Sequence, residues 1–181
     1  GADSLATQTL AGVTIPQRST PGIIVLTKPL PRLIQRVIAA PGIHLHQRND
    51  GKLVIGEQSG APDNSAHTMR LRGRPTRFPT ETTALAHAER MLAITRHYLP
   101  AAAAAKVDEV LIGWRPLPID GHPVIGTPGT SPASYLAIMH SGITLAPIVG
   151  QLVAQELLTR TPSPHLSNYR PDRQFSSVQR Y

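Results

Sequence analysis

Eighteen prolines and fourteen glycines are spread through this 181-residue chain, and every regular element has to fit between them. From Thr82 to Leu99, Leu85, Ala88, Leu92, Thr95 and Leu99 recur at spacings of three and four, which predicts a helix stopped by Pro100. A second long helix is predicted from Ala146-Pro147, with Pro147 at its first position and Ile148, Val149, Leu152, Val153 and Leu157 on its apolar stripe. Ser4 to Ala11 reads as a short helix ended by Gly12. Gly22 to Thr27, bounded by Pro21 and Pro29, reads as a buried strand. Ile43 to Arg48 and Lys52 to Gly56, joined through Asn49-Asp50-Gly51, read as a hairpin. Three further strands are expected at His67 to Arg72, Val107 to Trp114 and Tyr135 to Met139. Strands in succession with helices inserted singly predict an α+β fold on a mixed or antiparallel sheet.

Composition then removes several classes of function. The absence of cysteine excludes disulfides, thiolate zinc sites and a cysteine nucleophile. A formal charge of +7 raises the question of nucleic acid, but only 16% of residues are charged and 4% aromatic. The one dense basic group is Arg70, Arg72, Arg74 and Arg77. The expectation is no nucleic acid and a negatively charged partner, such as the rest of a larger protein. No apolar run of about eighteen residues and no leader pattern is read, so the expected location is cytoplasmic with no membrane span. His44 and His46 fall two apart on one strand face, but no third ligand lies nearby and no metal is expected. Ser141 lacks the flanking glycines of a hydrolase nucleophile turn.

Two stretches carry chemistry. In Gly113-Trp114-Arg115-Pro116, an arginine at a strand end is stiffened by the following proline. Its planar fork matches a carboxylate; the competing reading is a structural arginine that pairs with an acid or caps carbonyls. In Met139-His140-Ser141-Gly142-Ile143-Thr144-Leu145, a strand passes through a small-residue turn into a helix. Amides at such a start suit an anion or an electron-rich ring edge, although the same pattern also serves as an ordinary connection.

These motifs together are similar to the carboxy-terminal signature of the D-amino-acid oxidase superfamily, which includes the glycine oxidases. The resemblance is carried by Gly113-Trp114-Arg115-Pro116, Asp120-Gly121, Pro123-Val124-Ile125-Gly126 and His140 to Pro147. It extends to Gly1-Ala2-Asp3-Ser4, where Asp3 replaces the usual aromatic, to the hairpin at Asp50 to Gly56, and to Tyr169-Arg170-Pro171-Asp172-Arg173. It implies FAD as cofactor and a small amine or amino acid as substrate. Arg115 would bind the substrate carboxylate, and His44 and His46 would face the substrate cavity. Gly142, Ile143, Thr144 and Leu145 would lie along the flavin with His140 and Ser141 beside them, and no residue is assigned as a catalytic acid or base.

The resemblance also implies an order of domains. Residues 1–13 would end a first FAD-binding segment, 14–112 form the substrate domain, and 113–165 supply the last strand and helix of a Rossmann-like FAD domain, followed by an irregular tail at 166–181. No Gly-x-Gly-x-x-Gly turn occurs in the chain. The expectation is therefore a piece of an enzyme about twice as long, missing its amino-terminal FAD-binding half. The alternative is a flavin-free small-carboxylate-binding module or one subunit of a split oxidoreductase.

Overall fold

The computed structural model describes residues 3–57 and 81–178. The strand expected at His67 to Arg72 and the four arginines around it lie outside the described residues. The chain divides into two compact units, a middle unit of Pro21–Trp114 and a split unit of Gly1–Thr20 with Arg115–Arg180.

In the middle unit the strands β1 (Gln17–Thr27), β2 (Ile38–Ala40), β3 (Ile43–Gln47), β4 (Leu53–Glu57) and β5 (Val107–Pro118) form a sheet in the order β2-β3-β4-β1-β5. β1 starts at Gln17 in the split unit and enters the middle unit at Pro21, and β5 leaves it at Arg115. The β2–β3, β3–β4 and β4–β1 pairs are antiparallel, as the hairpin sequence requires. The β3–β4 turn needs glycine. Gly51 sits at φ +85°, and a Cβ there would lie 2.7 Å from the Leu30 carbonyl oxygen.

One sheet face is closed by α2 (Glu81–Tyr98). Val25, Ile43, Leu45, Leu53 and Ile55 form one core with Ala88, Met91 and Leu92 of that helix. The buried stripe is Ala88, Met91, Leu92 and Thr95, one residue set at i, i+3, i+4 and i+7. Leu85, expected on it, is instead 44% exposed in the first turns of the helix, while buried Thr95 returns its hydroxyl to the Met91 carbonyl.

Sequence periodicity does not show the hub of this unit, Gln47. Its side-chain oxygen accepts from Leu33 and Ile34 amides, and its side-chain nitrogen donates to the carbonyls of Leu30, Pro31 and Gly51. A proline-broken segment that cannot make its own ladder is thus satisfied by one carboxamide.

In the split unit α1 (Ser4–Ala11) is capped by Asp3, whose carboxylate accepts the Ala6 amide at 3.0 Å, and ends at Gly12 with φ +63°. The cap explains an aspartate where the resemblance favours an aromatic. β6 (Val124–Gly126) and β7 (Leu136–Ile138) pair antiparallel. α3 spans Gly142–Thr159, so it begins five residues before Pro147, which lies inside it rather than at its first position. Pro147 therefore lies past the first turn and leaves the Ile143 carbonyl without its i+4 amide donor, one intrahelical bond fewer near the start of the helix.

Of the apolar stripe expected on α3, Ile148 is 50% exposed, whereas Leu152 and Val153 pack against a core of Ile125, Val149 and Leu166. By length and composition alone, α3 is long and apolar enough to cross a membrane. Gln151, Gln155 and Glu156 interrupt the apolar run and hide this from a reading of consecutive residues. A 3-10 turn at Pro164–Tyr169 follows.

Candidate functional site

Arg115 lies within β5, which continues three residues beyond it to Pro118 instead of ending there. It is half-buried and flanked by Pro116, while Leu117 and Pro118 are buried. β7 leads through Met139 to His140 and Ser141 and directly into α3. His140 is half-buried, with Nδ1 3.3 Å from the Ser141 hydroxyl oxygen. Burial, and then the charge of Arg115, hold its pKa below the ordinary histidine value, so the neutral imidazole is favoured beside the guanidinium.

The start of α3 carries unspent donors. The Leu145 amide donates to the Ser141 carbonyl at 2.9 Å, and the Ser141 side chain makes no capping bond. The Gly142, Ile143 and Thr144 amides therefore precede the first intrahelical bond, and the first turn holds no acidic residue. A Cβ on Gly142 would meet only Met139 Cγ, at 3.7 Å. Ile143 is 94% exposed. Arg115, His140 and the helix entrance form one electropositive region in the split unit, where an anionic or electron-rich group is favoured. This donor set fits the electron-rich edge of a flavin ring; it offers nothing for the ADP portion of FAD.

His44 and His46 belong to the middle unit, on the face of β3 opposite Ile43, Leu45 and Gln47. His46 is exposed, and His44 stands across from Gly56 of β4. Its ring fills the space above that glycine, where a Cβ would lie 2.5 Å from Nε2. Among the described residues no group of three metal-ligating side chains occurs.

Two ionic assemblies in the split unit escape the sequence reading. Buried Glu156 of α3 accepts from the Tyr135 hydroxyl, the Ser163 amide and both terminal nitrogens of Arg170. Hydrogen bonds from Arg170, then from Tyr135 and Ser163, outweigh burial and bring its pKa down to about 2. Asp120 accepts a two-pronged Arg173 at 2.8 and 3.0 Å, and these bonds with the His122 amide outweigh burial and lower its pKa too. The sequence signals for them were Asp120-Gly121 and the arginine pair in Arg170-Pro171-Asp172-Arg173, which motif order set out without pairing them.

A strand–turn–helix with a cation beside it is shared by many α/β proteins, and comparison with known proteins supplies the family. The DAO family, described as FAD dependent oxidoreductase, matches residues 1–156, and the chain belongs to it. The bifunctional protein ThiO/ThiG of Synechocystis sp. is 30% identical over 150 residues, 79% of this chain and 20% of that protein. Glycine oxidase from Geobacillus kaustophilus shares the fold with a TM-score of 0.66 at 20% identity, over 96% of this chain and 44% of that one. L-proline dehydrogenase from P. horikoshii aligns with a TM-score of 0.71 at 19% identity, over 94% of this chain and 45% of that one. The chain thus spans a fifth of the curated relative and less than half of these solved structures. The α+β reading with an antiparallel sheet holds.

Proposed function

We propose that this chain is the carboxy-terminal part of an FAD-dependent oxidoreductase that oxidises the C–N bond of a small amino acid or secondary amine to an imine. Its middle unit is read as the substrate-binding domain, and its split unit as the return into the FAD domain. The supporting observation is the pairing, in one region, of the Arg115 guanidinium with a helix start whose first three amides are unspent.

When bound, FAD supplies a two-electron acceptor for the hydride leaving the substrate α-carbon. Arg115 holds the substrate carboxylate by a charge-assisted fork and so orients that carbon. The amides of Gly142, Ile143 and Thr144 would hold the ring edge that gains negative charge on reduction, with Ser141 beside them, while the Leu145 amide, already donating to the Ser141 carbonyl, would add apolar contact only. His140, favoured as neutral imidazole, adds no second cation that would compete with Arg115 for the carboxylate. His44 and His46 are assigned to the substrate side. The ADP grip is assigned to an amino-terminal segment bearing a Gly-x-Gly-x-x-Gly turn, which this chain lacks.

The test joins the chain to the amino-terminal part of a glycine oxidase and follows flavin bleaching with glycine, sarcosine and L-proline. Arg115→Ala should weaken carboxylated substrates by about 2–5 kcal/mol in apparent binding. An unchanged Michaelis constant removes the role given to Arg115. Stoichiometric flavin uptake by the chain alone contradicts the need for a separate ADP grip, and carboxylate binding without any flavin reduction favours the binding-module alternative.

A further inference from the structure

Arg115 to Pro118 close β5, and the residues that follow the strand are tied down from outside it. Pro116 and Pro118 donate no backbone hydrogen bond, and Ile119 and Asp120 lie beyond the strand end. The Ile119 amide donates to the Pro16 carbonyl at 3.0 Å, and the Ile119 carbonyl accepts the Val178 amide at 3.0 Å. Asp120 receives the Nε and one terminal nitrogen of Arg173, and that terminal nitrogen also reaches the His122 carbonyl at 3.2 Å. The other terminal nitrogen of Arg173 donates to the Arg170 carbonyl at 3.1 Å, and Phe175 lies against the guanidinium at 4.4 Å. The Asp120 and Arg173 side chains are only 9% and 13% exposed. The tail is itself anchored. Asp172 accepts the Gly129 amide at 2.8 Å, and Arg170 is held by Glu156 across Gly126, where a Cβ would lie 2.9 Å from its guanidinium.

We propose that residues 170–178 form a strap that sets the position of Arg115, with Arg173 as a positioning residue acting through Asp120. The proposal rests on the reading of Arg115 as the carboxylate binder. Four residues separate Arg115 from Asp120, and two are prolines with fixed φ, so a displacement at Asp120 is transmitted along the segment instead of being absorbed. A carboxylate fork tolerates little misplacement, so a loosened segment binds carboxylates less well.

The test uses the full chain, with acetate as probe and amide hydrogen exchange as a readout independent of binding. Arg173→Lys keeps the charge and removes the fork. It should speed exchange at Ile119, Gly121 and His122 by roughly tenfold or more while α1 amides stay unchanged, and weaken acetate by about threefold to tenfold, read at the Arg115 side-chain resonance. Exchanging the partners, Asp120→Arg with Arg173→Asp, should restore part of both effects. If Arg173→Lys fails to fold, Phe175→Leu removes the ring against the guanidinium while keeping an apolar side chain on the Ala11, Ile15 and Val124 core, and should move both readouts the same way by less. Unchanged exchange at Ile119 to His122 overturns the strap whatever acetate does. Faster exchange with unchanged acetate affinity overturns its link to Arg115. If the unaltered chain binds no acetate while exchange still quickens in the variant, the strap is supported and the carboxylate role of Arg115 falls instead.

Discussion

Replacing Glu156 by glutamine tests whether the split unit is held by a charge buried inside an apolar helix. The carboxylate collects four donors, from Tyr135, Ser163 and the two ends of the Arg170 fork, and its side chain is 6% exposed. A glutamine keeps the shape but turns one acceptor into a donor facing donors, and it removes the charge opposite Arg170. Lowering the pKa from the ordinary 4.5 to about 2 is worth about 3 kcal/mol at neutral pH, at about 1.4 kcal/mol per tenfold change. Breaking one partner of a buried pair costs a similar about 3–5 kcal/mol. For a domain of this size, about 3 kcal/mol lowers the thermal midpoint by roughly 10–20 °C. Because the folded-state pKa is depressed, this stability is complete above about pH 4.5 and is lost as the pH falls toward about 2. Thermal melts at pH 7 and near pH 3 should therefore show a wide gap between wild type and Glu156→Gln that narrows in acid. A gap independent of pH, or one below about 0.5 kcal/mol at pH 7, refutes the reasoning.

Burial, then the bond to Glu156, raises the Tyr135 pKa to about 12, so its stabilising contribution persists below about pH 10 and is lost as pH rises through about 12. An ultraviolet titration should show a late-ionising phenol that shifts downward in Glu156→Gln. Gln47→Leu takes the carboxamide away from four backbone groups at residues 30, 31, 33 and 34, while the Gly51 carbonyl keeps the Leu30 amide, and should cost about 2–4 kcal/mol, read as a lower urea midpoint with an unchanged slope. Arg160 ends α3 at φ +55°, so Arg160→Gly should stabilise the split unit by about 0.5–1 kcal/mol in the same assay.

The legible parts of this fold were those fixed by local pattern. Asn49-Asp50-Gly51 between alternating runs specified a hairpin, and the spacing of Ala88, Leu92 and Thr95 specified a helix face, because each depends on backbone geometry a few residues wide. β2, only three residues long, gave no such pattern. The start of α3 was displaced because Pro147 suits a first helical position yet is also accommodated a little farther in. Gln47, Asp120 and Glu156 could not be found by periodicity, since their partners lie far along the chain and polar side chains carry no sign of burial in a sequence. In the candidate site, Arg115 and the turn after β7 stood out through motif order, while the contacts that hold Arg115's segment did not.

One detail of the middle unit governs how its outer sheet surface can be altered. Since the imidazole of His44 occupies the room a methyl group at position 56 would claim, with Ile24 Cδ1 also 3.1 Å from it, position 56 is not free to vary by itself. A larger residue at 56 becomes admissible only after 44 has been made smaller, and then the protrusion moves from one strand to its neighbour. Engineering of that surface therefore has to proceed in pairs, with the first change made at His44.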